Sequence, residues 1–320
     1  MSAVISKIKA YYLNRKSRSL PSDYDVDNRG YVHFVGTPEE AGAFEVSFYT
    51  EEYDSWHLFQ SGFNRTIVIA TPYDVWVGGE QFTSNKLTIT CGDGTATYDP
   101  DTNTVTLDGA QITSATNKGA IYAGDQADRT LTVNVVGDSS IHLDSDTNTI
   151  GGIYADTLVL NASNNLDICV DNKDSGGIYT NGRDVRFPDS GDVTINGDGD
   201  VTISAGDNGI SSTGSVTFSG SGDVTIAARS NGIYSYHDVT ISGSGNVNIA
   251  SQYSYGVFEY GDVTISNSAN VKIKGFYSGV YIGKVGESGR SLILSGSGKV
   301  DIGGTQRGVT LCGDGKVFLN

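Results

Sequence analysis

A chain of 320 residues with 42 Gly, 18 Tyr, only 5 Pro and 18% charged residues is too rich in turn formers and rings, and too poor in charge, to be a disordered polymer; it reads as a folded, β-rich protein. A formal net charge of −16 excludes nucleic acid or an anionic membrane as the partner of the main body, because phosphate would be repelled. Three widely spaced cysteines, Cys91, Cys169 and Cys312, exclude a disulfide framework and a paired-cysteine zinc site.

The first 20 residues hold Lys7, Lys9, Arg15, Lys16 and Arg18 and no acid. This head suits either docking on an acidic protein surface or a solvated basic helix. It lacks the apolar stretch of about 7–15 residues that a secretory signal needs. No apolar run exceeds strand length, so no bilayer span is expected. Either a leader is removed or the protein leaves its cell by another route. The runs "YVHFV", "AFEVSFYT", "SWHLF" and "RTIVIA" then alternate as short strands do, which gives a small β-rich attachment module over residues 1–71.

From residue 72 to 320 the texture changes to an internal repeat. "DNGISSTGSVTFSGSGDVTIA" at 207–227 returns as "SNGIYSYHDVTISGSGNVNIA" at 230–250, 23 positions later. Each unit contains three short strands. The first is centred on Ile121, Ile153, Ile178, Ile210, Ile233, Val257, Val280 and Val309, with spacings of 32, 25, 32, 23, 24, 23 and 29 residues. The second runs through Leu158–Leu160, Val185–Phe187, Val216–Phe218, Val239–Ile241, Val263–Ile265 and Leu292–Leu294. The third runs through Ile141–Leu143, Leu166–Ile168, Val201–Ile203, Val224–Ile226, Val247–Ile249, Val271–Ile273 and Val300–Ile302. Strands this short cannot bury an apolar face alone. Wound as a coil, each lies beside its counterpart in the next turn, and the Val and Ile residues stack inside. The expected fold is therefore all-β, a right-handed parallel β-helix of eight or nine turns, with residues 72–118 forming irregular first turns that cap it. The rival, a β-sandwich of hairpins, has no need of a 23-residue copy.

Alternation then places the residue after each first-strand Ile or Val on the outer face. That column reads Tyr122, Tyr154, Tyr179, Ser211, Tyr234, Phe258 and Tyr281, whereas Thr217, Thr240, Thr264, Thr202 and Thr225 occupy the outer faces elsewhere. Nine aromatics crowd its C-terminal half: Tyr234, Tyr236, Tyr253, Tyr255, Phe258, Tyr260, Phe276, Tyr277 and Tyr281. Flat rings with hydroxyl rims suit a ligand with apolar C–H faces and many hydroxyls, and sugars have that character. The rise of about 4.8 Å per turn is close to one sugar unit, so a polysaccharide or cell-surface glycan lying along the axis is the expected ligand. The same column equally fits a protein contact, or a ladder that only stabilises the coil.

Other constellations carry less. Asp200, Asp223, Asn246, Asn270, Asp238 and Asp262 precede strands; Ca²⁺ between stacked carboxylates is one reading and ordinary turn chemistry the other. The outward carboxylates Asp167, Glu259 and Asp301 lie on different faces and make no catalytic pair. Arg183, Arg229 and Arg307 flank first strands without a facing acid. His33, His57, His142 and His237 form no triad or metal set with the cysteines. No enzymatic activity and no required cofactor are expected; a polysaccharide lyase or hydrolase is the remaining alternative.

The segment "YDVWVGGEQFTSNKLTITCGDGTATYDPDTNTVTLDGAQIT", followed by "GAIYAGD" and the Gly-Ile-Tyr and Val-Thr-Ile turns, resembles the carbohydrate-binding-domain β-helix family of gut and cellulolytic bacteria. The resemblance covers about residues 73–320. It implies a right-handed parallel β-helix, non-catalytic binding of acidic or cellulosic plant polysaccharide, bound Ca²⁺ and cell-surface display. The first 71 residues depart from it. A basic head and a compact β module suit an assembly-docked protein such as a bacteriophage tail or head fibre attaching to its host, as monomer or homotrimer, with an assembly partner held through residues 1–71. Extracellular placement, on a bacterial surface or a virion, is expected in either case.

Overall fold

The computed structural model describes residues 70–124, 130–182, 191–283 and 289–320, together with the backbone of the strands Lys9–Tyr12, Tyr24–Val26, Val32–Phe34, Gly42–Tyr53 and Leu58–Ile69. Two units are present, Met1–Pro72 with Thr83–Asn85 and Tyr73–Phe82 with Lys86–Asn320. In the first, Gly42–Tyr53 and Leu58–Ile69 pair antiparallel over their full length, and Lys9–Tyr12 runs parallel to the former. The basic head therefore contributes a strand at residues 9–12 where a helix was one expectation; Ala-Tyr-Tyr is a better strand than helix sequence. Lys7, Arg15, Lys16, Arg18, His57 and Arg183 lie outside the described residues.

The second unit is a parallel β-helix of about seven turns built from three sheets. The first sheet stacks Gly119–Ala123, Gly151–Ala155, Gly176–Thr180, Ile210–Ser212, Ile233–Ser235, Val257–Glu259, Ser278–Ile282 and Arg307–Leu311, all parallel. The second includes Thr130–Val135, Thr157–Ala162, Val193–Gly197, Val216–Phe218, Val239–Ile241, Val263–Ile265, Ser291–Leu294 and Lys316–Leu319. The third includes Ser139–Leu143, Leu166–Val170, Val201–Ala205, Val224–Ala228, Val247–Ser251, Val271–Gly275 and Val300–Gly304. Register follows the repeat, as in Val216↔Val239↔Val263 and Ile203↔Ile226↔Ile249. Ile121, Ile153, Ile178, Ile210, Ile233, Val257 and Val280 are fully buried.

Two features differ from expectation. The stretch before the first coil is antiparallel: Thr88–Cys91, Gly94–Asp99 and Thr104–Asp108 form a meander, and Pro72–Val77 pairs antiparallel with Gly119–Ala123. The eight parallel strands of the first sheet, from Gly119–Ala123 to Arg307–Leu311, enclose about seven turns where eight or nine were expected. The second strand after Tyr179 is Val193–Gly197, registered between Leu158 and Val216; the expected Val185–Phe187 lies outside the described residues. The phrase Asp-Val-Thr-Ile at 192–195 is the true copy of the repeat there.

Side chains at the turns bond along the axis. Asp200 Oδ1 accepts the Asp223 N–H at 2.8 Å, Asp223 Oδ1 that of Asn246 at 2.7 Å, and Asn246 Oδ1 that of Asn270 at 3.2 Å. A second column repeats this, with Asp238 accepting from Asp262 and Asp262 from Ser291, both at 2.8 Å. Each short acceptor satisfies a backbone donor of the next turn that the strands leave unpaired. At the far edge, Val317, Phe318 and Leu319 form part of the last strand and are exposed, Leu319 by 77%.

Candidate functional site

The outer column of the first sheet is continuous in register: Tyr122↔Tyr154↔Tyr179↔Ser211↔Tyr234↔Phe258↔Tyr281↔Thr310. Trp76 extends it at the first turn, stacking on Tyr122 at 4.9 Å. Three adjacent pairs meet face to face, Tyr154 and Tyr179 at 5.3 Å and 11°, Tyr234 and Phe258 at 5.4 Å and 11°, Phe258 and Tyr281 at 4.8 Å and 4°, while Tyr122 and Tyr154 meet edge to face at 5.6 Å and 65°. The strand spacing of about 4.8 Å is also a stacking distance, so the rings occupy one another's faces. Both faces of Phe258 are covered in this way. The free faces lie where the column breaks, at Ser211 and at Thr310.

Filling the first break should strengthen the column. Ser211→Tyr is expected to add ring pairs with Tyr179 and Tyr234 and to raise unfolding stability by about 1–2 kcal/mol, at roughly 0.5–1.5 kcal/mol per aromatic pair. Denaturant melts of the variant against the native protein measure it; a loss of stability would mean that the break is needed for packing.

The nine predicted site residues come together, with one exception. Tyr234, Tyr236, Tyr255, Phe258, Tyr260, Phe276, Tyr277 and Tyr281 are joined through successive ring contacts of 4.8–6.3 Å. Tyr253 stands apart, with the Arg229 guanidinium 5.6 Å above its ring. Tyr236, Tyr253, Phe276 and Tyr277 are the most exposed, at 41–52%. Burial pushes the Tyr234 phenol up, reinforced by the hydroxyls of Tyr236 and Tyr260. The Cys312 thiol, 3.0 Å from Tyr281 Oη, and then burial push that phenol up to about 12. Both phenols are protonated donors at neutral pH.

At the second break a hollow of about 120 Å³ opens, lined by Tyr255, Tyr277, Ser278, Tyr281, Gln306, Arg307 and Thr310. Tyr255 leans over Tyr281 at 4.9 Å and Tyr277 lies 5.7 Å from Tyr255. Ser278 and Thr310 share a hydrogen bond of 2.8 Å at its base. The hollow thus offers aromatic walls, hydroxyls, an amide and one guanidinium, and none of its lining residues is a carboxylate. Gln306, Arg307 and Thr310 were not among the predicted residues; their place beside Tyr281 follows from stacking 307–311 on 278–282.

The chain was compared with protein-family models, with curated proteins and with solved structures. None of the three gives a match. The Ca²⁺ that the resemblance implies does not fit the acidic columns: Asp200, Asp223, Asp238 and Asp262 each place a carboxylate oxygen on a backbone N–H, and one column continues as Asn246 and Asn270. A Ca²⁺ site needs six to eight converging oxygens.

Two sequence readings are corrected. Glu259 is not outward: it takes the third, inward position of Val257–Glu259 and is fully buried, with Oε2 accepting the Gly261 N–H and Oε1 without a partner. Burial, with smaller contributions from Asp238 and Asp262, raises its carboxyl to about 8. The histidines and cysteines are not all apart either, since His142 and Cys169 are register partners on adjacent turns. Burial, then the hydrogen bond to Asp171 and the charges of Asp171 and Asp167, push the Cys169 thiol up to about 11.

Proposed function

We propose that the protein is a non-catalytic glycan-recognition protein that holds a polysaccharide against the C-terminal end of its aromatic column. The hollow beside Tyr281 carries this reading, because it joins free ring surface to hydrogen-bonding groups of both signs. Sugars present an apolar C–H face and a belt of hydroxyls, and the face would rest on Tyr281 and Tyr277 while Gln306, Arg307 and Thr310 meet the hydroxyls. Exposed Tyr236 and Phe276 extend the contact along the axis. The absence of a carboxylate from the hollow's lining supports binding without cleavage, and a surface-displayed or virion-borne adhesin would use such a side.

Affinity electrophoresis in a panel of plant and bacterial polysaccharides tests it. Tyr277→Ala and Arg307→Ala should each weaken retention about 5- to 10-fold, in line with the 1–2 kcal/mol that a well-placed contact contributes, with little change in melting temperature. Retention by no polysaccharide of the panel, or retention that both variants leave intact, overturns the proposal. Self-association that Tyr277→Ala abolishes would assign the same surface to a contact between chains, and release of reducing ends would assign it to an enzyme.

A further inference from the structure

We infer that His142, Cys169 and Asp171 form a binding site for a divalent transition metal of the zinc class, with Asp144 beside His142. The site lies on the third sheet and does not rest on the glycan reading. One Nε2, one Sγ and one carboxylate oxygen from the first three all lie within 4.8 Å of one another. Cys169 Sγ is 3.4 Å from Asp171 Oδ1, His142 Nε2 is 3.9 Å from Asp171 Oδ2, and His142 Nε2 is 3.7 Å from Asp144 Oδ1. A tetrahedral ion with bonds of about 2.0–2.3 Å separates its ligands by about 3.3–3.8 Å. The donors of His142, Cys169 and Asp171 therefore lie close enough together to share one such ion, with a fourth corner left for water or for Asp144 beside His142.

Their placement is a product of the coil. His142 and Cys169 are the outward residues of Ser139–Leu143 and Leu166–Val170, directly opposite in register. Asp144 and Asp171 each follow two residues later on the same two turns. A metal here would tie adjacent turns together. Among the described residues no lysine or arginine is ion-paired with Asp144 or Asp171; each has the His142 imidazole within 3.9 Å. Sulfur and nitrogen donors with carboxylate suit Zn²⁺ or Co²⁺, while Ca²⁺ and Mg²⁺ prefer oxygen alone.

Cobalt(II) reports the site directly. The full chain, stripped with chelator and kept reduced and free of oxygen, is titrated with Co²⁺ and followed by absorption. Expected are the intense visible bands of a tetrahedral ion and a sulfur-to-cobalt charge-transfer band in the near ultraviolet, both lost when one equivalent of Zn²⁺ displaces the cobalt. Cys169→Ser removes the charge-transfer band, and folding is protected because Ser204 fills the same position one turn on. Cys312→Ser leaves the band unchanged. His142→Ala and Asp171→Asn weaken Co²⁺ binding at least 10-fold. Zn²⁺ should also raise the melting temperature of the native chain but not of Cys169→Ser. A spectrum that stays octahedral, a charge-transfer band that survives Cys169→Ser, or equal displacement by Ca²⁺ overturns the inference.

Discussion

Replacing Glu259 with glutamine is expected to make the protein more stable at pH 9 and less stable, by about 1–3 kcal/mol, at pH 5. In the folded chain this carboxyl is raised to about 8 from an ordinary 4.5. An acid whose folded value is raised holds its proton longer when folded than when unfolded. The native protein therefore keeps its full stability below about pH 4.5, loses it progressively up to about pH 8, and is level above that. At about 1.36 kcal/mol per unit the loss is on the order of 3–5 kcal/mol. Glutamine keeps the acceptor for the Gly261 N–H but adds an unpaired amide donor, which costs about 1–3 kcal/mol. The net gain at pH 9 is then about 2 kcal/mol, or roughly 4–8 °C in melting temperature. Thermal melts of both proteins from pH 5 to 9 measure it, and the difference between them isolates Glu259 from every other group. Parallel melting curves at all pH values would show that the carboxyl is ionised in the fold.

Gly232→Ala is expected to be strongly destabilising although it adds a single methyl group. A Cβ at that position would lie inside contact distance of both Ile249 Cγ2, across the interior, and the Gly256 carbonyl oxygen of the next turn. That oxygen accepts the Ile233 N–H at 2.9 Å, so the clash falls on the ladder itself. Overpacking of this kind costs about 1–3 kcal/mol, here with a strained ladder bond in addition. Chemical denaturation measures the loss, and Ile249→Ala in the same chain should recover part of it by removing the opposing methyl. Unchanged stability would mean that the two sheets separate freely. Gly177, Gly209, Gly256 and Gly279 face Ile203, Ile226, Ile273 and Ile302 in the same way, so the column is a property of the coil and not of one turn.

The architecture was legible because the repeat and the two-residue alternation agree at almost every strand. Where they failed, a specific competitor is visible. The sequence pattern points to Val185–Phe187 as a second strand and passes over Val193–Ile195; pairing with Leu158 and Val216 gives Val193–Gly197 that place. Glu259 was misplaced because its acidity outweighed its position, although Val257 inward requires residue 259 inward. The site was half legible: the aromatic column followed from register, but the sequence does not say that neighbouring rings cover each other's faces. His142 and Cys169 are 27 residues apart and match no metal-ligand spacing, yet laying Ile141–Leu143 over Ile168–Val170 puts them side by side. In a coil, the informative separation is one turn, and motif spacings drawn from helices and loops overlook it.

The bonds from Asp200 to Asp223 and from Asp223 to Asn246 carry a consequence for the length of the rod. Each acceptor meets the same backbone donor exactly one 23-residue copy further on, so excising 207–229 would leave Asp200 facing the donor of Asn246 in the place of Asp223. Junctions of this kind are interchangeable parts. The protein can lengthen or shorten in whole-copy steps of about 4.8 Å by duplication or loss of a gene segment, with the chemistry of every remaining seam unaltered.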